Sequence, residues 1–201
     1  MIKNIPLHFS QDDHYILQNE HVQLRPLELS DSEFIRRFVK NEPELFQYSL
    51  APMRSEIDVV AYIQNALNYR KIGTSYPFLV FDKKNKEYAG TTRFYEINNI
   101  HQSCTIGYTW FGKKFQRTGV NRNCKFLMLS HAFEVMKVQR VEFRADVKNT
   151  RSIEAMKRIG CVEEGRLRNH FITPTGRRDT IVLSIIQSDW EDLKNSIFKG
   201  Y

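Results

Sequence analysis

The densest chemistry in this chain lies between Gln116 and Asn121, Gln-Arg-Thr-Gly-Val-Asn, where a strand-like stretch gives way to a helical one. Before it, Thr105 to Phe111 alternates β-branched and aromatic residues as a strand does. After it, from Val120, the residues Cys124, Leu127, His131 with Ala132, and Val135 recur at helical spacing. The start of a helix can hold an anion, because its first N–H groups lack internal partners and sit at the positive end of the helix dipole. Gly119 lets a ligand approach the backbone. Lys113, Lys114, Arg117, Arg122 and Lys125 add positive charge that suits a diphosphate better than a single carboxylate. The same residues also fit an ordinary solvated connection, since one glycine in such a junction is a weak signal.

Two further groups have reactive or ligand-binding side chains. Asn149-Thr150-Arg151-Ser152 has the composition of a helix start, because Asn and Ser side chains accept hydrogen bonds from free backbone N–H groups. His170, in Leu167-Arg168-Asn169-His170, has an ordinary pKa of ~6.5 that suits it to take a proton near neutrality. A lone histidine on a half-buried strand can equally be structural. Glu96, Glu142 and Glu164 are reserves for the same role and fit solvated strand positions.

The elements that must position these residues follow from periodicity. Val22 to Leu27 reads as a first strand and the residues before about Glu20 as an extended arm. Ser30 with Glu33 predicts a capping box for a helix with Phe34, Ile35, Phe38 and Val39 on its apolar face, stopped at Pro43. A second helix starts near Ser55 and carries Ile57, Val60, Ala61, Ile63 and Leu67 to Gly73. Tyr76 to Phe81 and Tyr88 to Ile97 form a hairpin, and Arg140 to Val147 alternates as another strand. Thr150 to Ile159 is a short helix ended by Gly160. Val162 to Thr173 and Arg178 to Ile186 flank the turn Pro174-Thr175-Gly176, and a last helix runs through Trp190 and Leu193. Strands and helices mixed in this order predict an α/β domain with a partly antiparallel sheet.

At 201 residues, 41% hydrophobic and 26% charged, the chain fits one domain with its own core. Cys104, Cys124 and Cys161 form no C-x-x-C pair and are odd in number, so neither a disulfide framework nor a zinc site is expected. The N-terminus has scattered charges and no long apolar run, which predicts a cytoplasmic protein. A net charge of +7 admits nucleic acid, an acidic protein or a phosphorylated cofactor as partner. The basic residues are spread without a recognisable nucleic-acid motif, which disfavours the first of these.

Gln116-Arg117-Thr118-Gly119-Val120-Asn121 resembles the Gln/Arg-x-x-Gly-x-Gly/Ala signature of the Gcn5-related N-acetyltransferases (GNAT), departing from it at Asn121. IGYTWF before the turn and DVKNTRSIEAMKRIGCVEEGRLR after it resemble the ribosomal-protein N-terminal acetyltransferase branch of that superfamily, and the likeness runs from about Val22 to Trp190. The resemblance implies a single GNAT-type α/β domain over residues 21–201 after an arm at 1–20. Its sheet would be mixed and mostly antiparallel, flanked by helices, with strands four and five parallel and splayed apart. It also implies acetyl-coenzyme A (acetyl-CoA) as cofactor, its pyrophosphate wrapped by Gln116, Arg117, Thr118, Gly119, Val120 and Asn121. The pantetheine arm would lie along the open edge at Tyr108, Thr109, Trp110 and Phe111. An N–H near Trp110 would serve the oxyanion, Asn149 would bond the cofactor, and Ser152 would protonate the thiolate. The first two helices would line the acceptor side.

The branch's glutamate position falls on Phe171, which leaves the adjacent His170 as the candidate base. No metal is implied. The acceptor implied by the resemblance is a primary amine, either a protein N-terminus or a small molecule, and a homodimer is compatible with this branch. Two other readings stay open: a catalytically idle acyl-CoA sensor, and a basic RNA- or ribosome-associated protein.

Overall fold

Alternating apolar and polar residues pair into one eight-stranded sheet in a computed structural model that describes residues 7–173 and 176–201. The strands are β1 (Leu17–Gln18), β2 (Val22–Pro26), β3 (Ser75–Asp82), β4 (Glu87–Asn98), β5 (Ser103–Phe111), β6 (Arg140–Asp146), β7 (Val162–Thr173) and β8 (Gly176–Ile186). They lie in the order β1-β2-β3-β4-β5-β6-β8-β7. Every neighbouring pair is antiparallel except β5 and β6. Among the described residues five α-helices accompany them: α1 (Ser32–Asn41), α2 (Glu56–Lys71), α3 (Val120–Ser130), α4 (Thr150–Lys157) and α5 (Gln187–Asn195). The short β1 precedes the first strand expected from sequence, so the splayed strands four and five are β5 and β6. Pro174 and Thr175 of the expected turn lie outside the described residues, as does the first part of the arm.

The two faces of β4 show how the helices divide. Thr91 bonds the Tyr62 hydroxyl of α2 at 3.1 Å, and Arg93 stacks on the same ring. From the other face, Thr92 meets the Met128 sulfur of α3 at 3.4 Å, and Phe94 packs on His131 just beyond it. Phe38 of α1 packs edge-on to Trp110, and Trp190 of α5 stacks on Phe133. The helices α1 and α2 therefore cover one face, and α3 with α5 the other. Both faces are buried by large aromatic and aliphatic side chains, which dominate the energy of folding.

The sequence placed most elements within a residue or two, with three local differences. The Ser30–Glu33 box does not form. A 3-10 turn, Leu29–Asp31, precedes α1, and the Asp31 carboxylate takes the Glu28 N–H at 2.8 Å and both terminal nitrogens of Arg25. In α2 the inward face is Val59, Tyr62, Ile63 and Ala66, while Ile57 is 81% exposed. The helix from Val120 keeps α geometry only to Ser130 and continues as a π-helical turn, His131–Val135, which rotates Val135 outward.

The sheet's central pair is held by close backbone approach. A Cβ at Gly90 would stand 2.0 Å from the Trp110 carbonyl oxygen. Gly90→Ala is therefore expected to destabilise the protein by about 2 kcal/mol or more in urea unfolding, because backbone has to move. Gly165→Ala, where nothing stands within 4 Å of the new atom, should stay within about 0.5 kcal/mol of the parent.

Candidate active site

β5 and β6 pair only at Ser103 to Thr105 with Arg140 to Glu142, and then separate. Beyond that point one edge of β5 has no neighbouring strand. Tyr108, at φ +50°, forms a bulge there: Thr91 pairs with Trp110 and Arg93 with Gly107, so β5 carries one more residue than β4. The bulge sets which peptides face the gap. Gly112 N–H bonds Ala89 of β4, and the Trp110 carbonyl is turned to β4 as well. The Phe111 carbonyl points the other way and accepts the Gln116 side-chain amide at 2.9 Å. By strand alternation the peptide of Trp110 belongs to the β4 ladder, and those of Thr109 and Phe111 line the gap. The amides that face the gap beside Trp110 are therefore those of Thr109 and Phe111, and the Trp110 indole is core against Phe38 and Phe46.

The glycine turn sits at the end of this gap. Gly119 takes φ +94° and is the N-cap of α3, so no side chain covers the first amides of the helix. A Cβ there would meet only the Asn123 amide nitrogen, at 3.7 Å, which leaves an open cradle above the backbone. Thr118 Oγ1 bonds the Phe115 carbonyl at 2.7 Å, and Val120 is buried as the first helical residue. Asn121, the departure from the GNAT signature, has a buried Oδ1 without a partner.

The cations expected around the turn are mostly engaged elsewhere. Lys113 pairs with Glu44, Lys114 with Glu87 at 2.6 Å, and Arg122 donates to the Ile197 carbonyl while stacking on Tyr201. Arg117, exposed at φ +62°, has no hydrogen-bond or ion-pair partner among the described residues and is available to a ligand.

Lys125 is the largest departure. It projects into the protein, 5% exposed, and its ammonium reaches Thr109 Oγ1 of β5 at 2.8 Å and stands 5.7 Å from the Phe143 ring of β6. An unneutralised ammonium therefore bridges the two strands where they have separated. Burial pulls its pKa down to about 8. Burial also pushes the thiols of Cys104 and Cys161 up to about 12 and that of Cys124 to about 11, so none is a ready nucleophile.

Across the gap, Asn149 caps α4 by accepting the Ser152 N–H at 3.2 Å, which is the structural role its residue type suggested. Its side-chain NH2 makes no bond among the described residues. Arg151 donates to Gln116 Oε1 at 2.8 Å, so the start of α4 is tied to the glycine turn, with Gln116 spanning from β5 to α4. The structure thus gathers Gln116, Arg117, Thr118, Gly119, Val120, Asn121, Asn149 and Ser152 at one mouth.

His170 and Phe171 belong to the opposite face. On β7, Leu167 pairs with Thr180 and Phe171 with Arg178, leaving three β7 residues against Asp179 alone. Asp179 pins this bulge by taking the Asn169 N–H at 2.8 Å and the Arg166 guanidinium. Phe171 lies 5.8 Å from the Arg178 guanidinium, and His170 sits beside Phe171 with a buried, unpartnered Nδ1. Partial burial and the positive charges of Arg144 and Arg178 hold the imidazole below its ordinary pKa, so it is neutral at pH 7. Of the reserve carboxylates, Glu96 bonds Arg144 at 2.8 Å, Glu142 bonds Arg144 and Arg140, and Glu164 bonds Arg140 and Ser184. Among the described residues no cluster of His, Cys, Asp and Glu could hold a metal ion, and no helix is long and apolar enough to cross a membrane.

A family model described as an acetyltransferase (GNAT) domain matches residues 21–162. The chain is 26% identical over 176 residues to the spermidine N(1)-acetyltransferase of Vibrio cholerae, covering 86% of this chain and 96% of that one. It is 23% identical over 123 residues to the ribosomal protein uS5 alanine N-acetyltransferase of Escherichia coli, covering 61% and 63%. The crystal structure of a Gcn5-related N-acetyltransferase from Brucella melitensis superposes with a TM-score of 0.84 at 24% identity, over 96% of this chain and 87% of that chain.

The Lys125 ammonium predicts a pH signature. Its folded pKa of about 8 lies below the ordinary 10.5, so between those values the unfolded chain binds the extra proton and stability rises with pH. The parent should gain on Lys125→Met by about 3 kcal/mol from pH 8 to pH 10.5, read as the difference between their urea midpoints. A constant difference would show that the group titrates normally.

Proposed function

This chain belongs to the GNAT acetyltransferase family, and we propose that it transfers an acetyl group from acetyl-CoA to a primary amine by direct attack in a ternary complex. Acetyl transfer to amines is the activity named for its relatives, on spermidine in one and on a ribosomal protein in another. The observation that carries the proposal is a coincidence of three features at one mouth: separated parallel strands, uncovered amides behind Gly119, and an unpartnered Arg117. Such a mouth fits a diphosphate at one end and an extended arm along a strand edge at the other.

Acetyl-CoA would supply the activated thioester. The amides from Gly119 to Arg122 and the Arg117 guanidinium would hold its phosphates, with the Asn149 amide a further donor. The Phe111 or Thr109 amide would stabilise the oxyanion, since a fixed backbone donor costs no reorganisation during reaction. Ser152 would return a proton to the thiolate, and the Lys125 ammonium would place positive charge in the same gap. His170, neutral at pH 7, would take the proton from the amine on the α1 and α2 face, directly or through water.

A second reading rests on the carboxylates. Phe171 stands where the branch has glutamate, and Glu96 and Glu142 are both bound to Arg144, which suits a sensor that binds acyl-CoA without turnover. Free-thiol release in the presence of an amine panel separates the two, since only an enzyme produces it.

CoA should raise the melting temperature of the parent. Arg117→Glu should weaken CoA binding about tenfold or more without lowering the melting temperature of the unliganded protein, because Arg117 makes no hydrogen bond or ion pair among the described residues. Gly119→Trp should abolish binding. For the enzyme, kcat/KM should fall on acidification only below the ordinary histidine pKa, and His170→Ala should lower the rate and flatten that limb. An unchanged pH profile would remove His170 from the chemistry.

A further inference from the structure

Arg93 is an unusual residue to find on the α2 face of β4. It is 4% exposed, and its side chain makes no ion pair and no hydrogen bond among the described residues. Its guanidinium carbon lies over two rings, 3.9 Å from the Tyr108 centroid and 4.9 Å from that of Tyr62. Two aromatic rings satisfy the faces of the guanidinium by cation–π attraction. They leave its rim of N–H donors unfilled, and that rim is the part matched to a carboxylate in bidentate geometry.

Other observations tie this cation to the acceptor side. Arg93 pairs with Gly107, directly before the Tyr108 bulge, so it stands at the point where β5 turns its amides into the gap. Tyr108 is 37% exposed and is the solvent-facing wall of the stack. On the same face, Arg178 is buried; its Nη1 donates to the Tyr48 carbonyl at 3.1 Å, while its Nε has no hydrogen bond and stands 3.8 Å from Asp146. Glu96 and Glu142, the nearby carboxylates, are already neutralised by Arg144. The face thus holds Arg93 without an ion pair and Arg178 with one at 3.8 Å only, while Glu96 and Glu142 are both bound to Arg144.

We propose that the acceptor amine carries a carboxylate, which docks in-plane on the Arg93 guanidinium between Tyr62 and Tyr108 and presents the amine at the bulge. The inference rests on the acetyltransferase reading and deepens it. The acceptor is an anionic amine, and the site discriminates against polyamines. The carboxylate can belong to a free amino acid or to an acidic side chain near a protein N-terminus, and these two sources share the same chemistry.

The test pairs isosteric acceptors against the parent protein with acetyl-CoA and reads both thiol release and, by calorimetry on the CoA-bound protein, acceptor binding. Free amino acids are compared with their amides, peptides with Glu at position two with the same peptides carrying Gln, and spermidine is included. Carboxylate-bearing acceptors in at least one series should exceed their amides at least tenfold in kcat/KM and in affinity, and the series that responds identifies the source. In Arg93→Gln that preference should vanish through KM while CoA affinity stays within twofold of the parent, and Arg93→Lys should restore part of it. Equal use of acid and amide in both series, or spermidine as the best acceptor, overturns the proposal and leaves the acetyltransferase reading standing. Failure to bind CoA or release thiol with any acceptor overturns that reading, and this one with it. Because the acid–amide comparison uses the parent alone, the outcome holds even if an Arg93 variant does not fold.

Discussion

The structure depends on two parallel strands that bond for three residues and then separate. β5 and β6 are joined at Ser103 to Thr105 and Arg140 to Glu142, and beyond that their facing edges are unpaired inside an otherwise continuous sheet. Unpaired strand edges are costly when buried and reactive when exposed, so the surroundings have to manage this one. Gln116 takes the Phe111 carbonyl, Lys125 fills the space beneath Thr109, and the glycine turn leads the chain away from the edge into α3. What is left open is a slot with amides on one wall and a helix start at its mouth. Those are the requirements of a ligand with phosphates at one end and an extended polar arm at the other.

The bulge at Tyr108 divides that slot from the second face. By adding one residue to β5 it keeps Trp110 in the ladder with β4, turns Thr109 toward Lys125, and leaves Tyr108 stacked on Arg93. Three consecutive side chains thereby serve three purposes: aromatic cover for a cation, a hydroxyl for a buried ammonium, and core beneath α1. A regular strand would have sent alternate residues to only two destinations with uniform spacing. The irregularity places the open slot and the Arg93 face back to back at one point of the sheet.

Much of the fold could be read from sequence because strands announce themselves by alternation and turns by charge and glycine. Arg140 to Asp146 is a clear case, with Val141, Phe143 and Ala145 inward and the charged residues outward. The second helix was harder. In Ile57, Val59, Val60, Tyr62 and Ile63 the apolar residues run nearly all the way round, so the sequence does not say which face β3 will cover. The candidate site was legible where it is local: Gly119 needs its left-handed backbone, and Asn149 caps as its type predicts.

It was not legible where it depends on distant partners. Glu44 and Glu87, which occupy Lys113 and Lys114, come from other parts of the chain. Lys125 looked like one more surface cation, and only the phase of α3, with Cys124, Met128 and Leu129 beside it inward, buries it. Arg93 carried no signal at all, since its aromatic neighbours Tyr62 and Tyr108 arrive from separate elements.

The margins of the sheet carry a consequence for self-association. At one side β1 is two residues long, and at the other β7 is broken by the Asp179-pinned bulge between Leu167 and Phe171. A second copy seeking to extend the sheet would find no long straight template at either border, only short runs whose register cannot continue. Strand-to-strand polymerisation is thereby discouraged in a protein that must nevertheless keep one interior strand edge permanently unzipped.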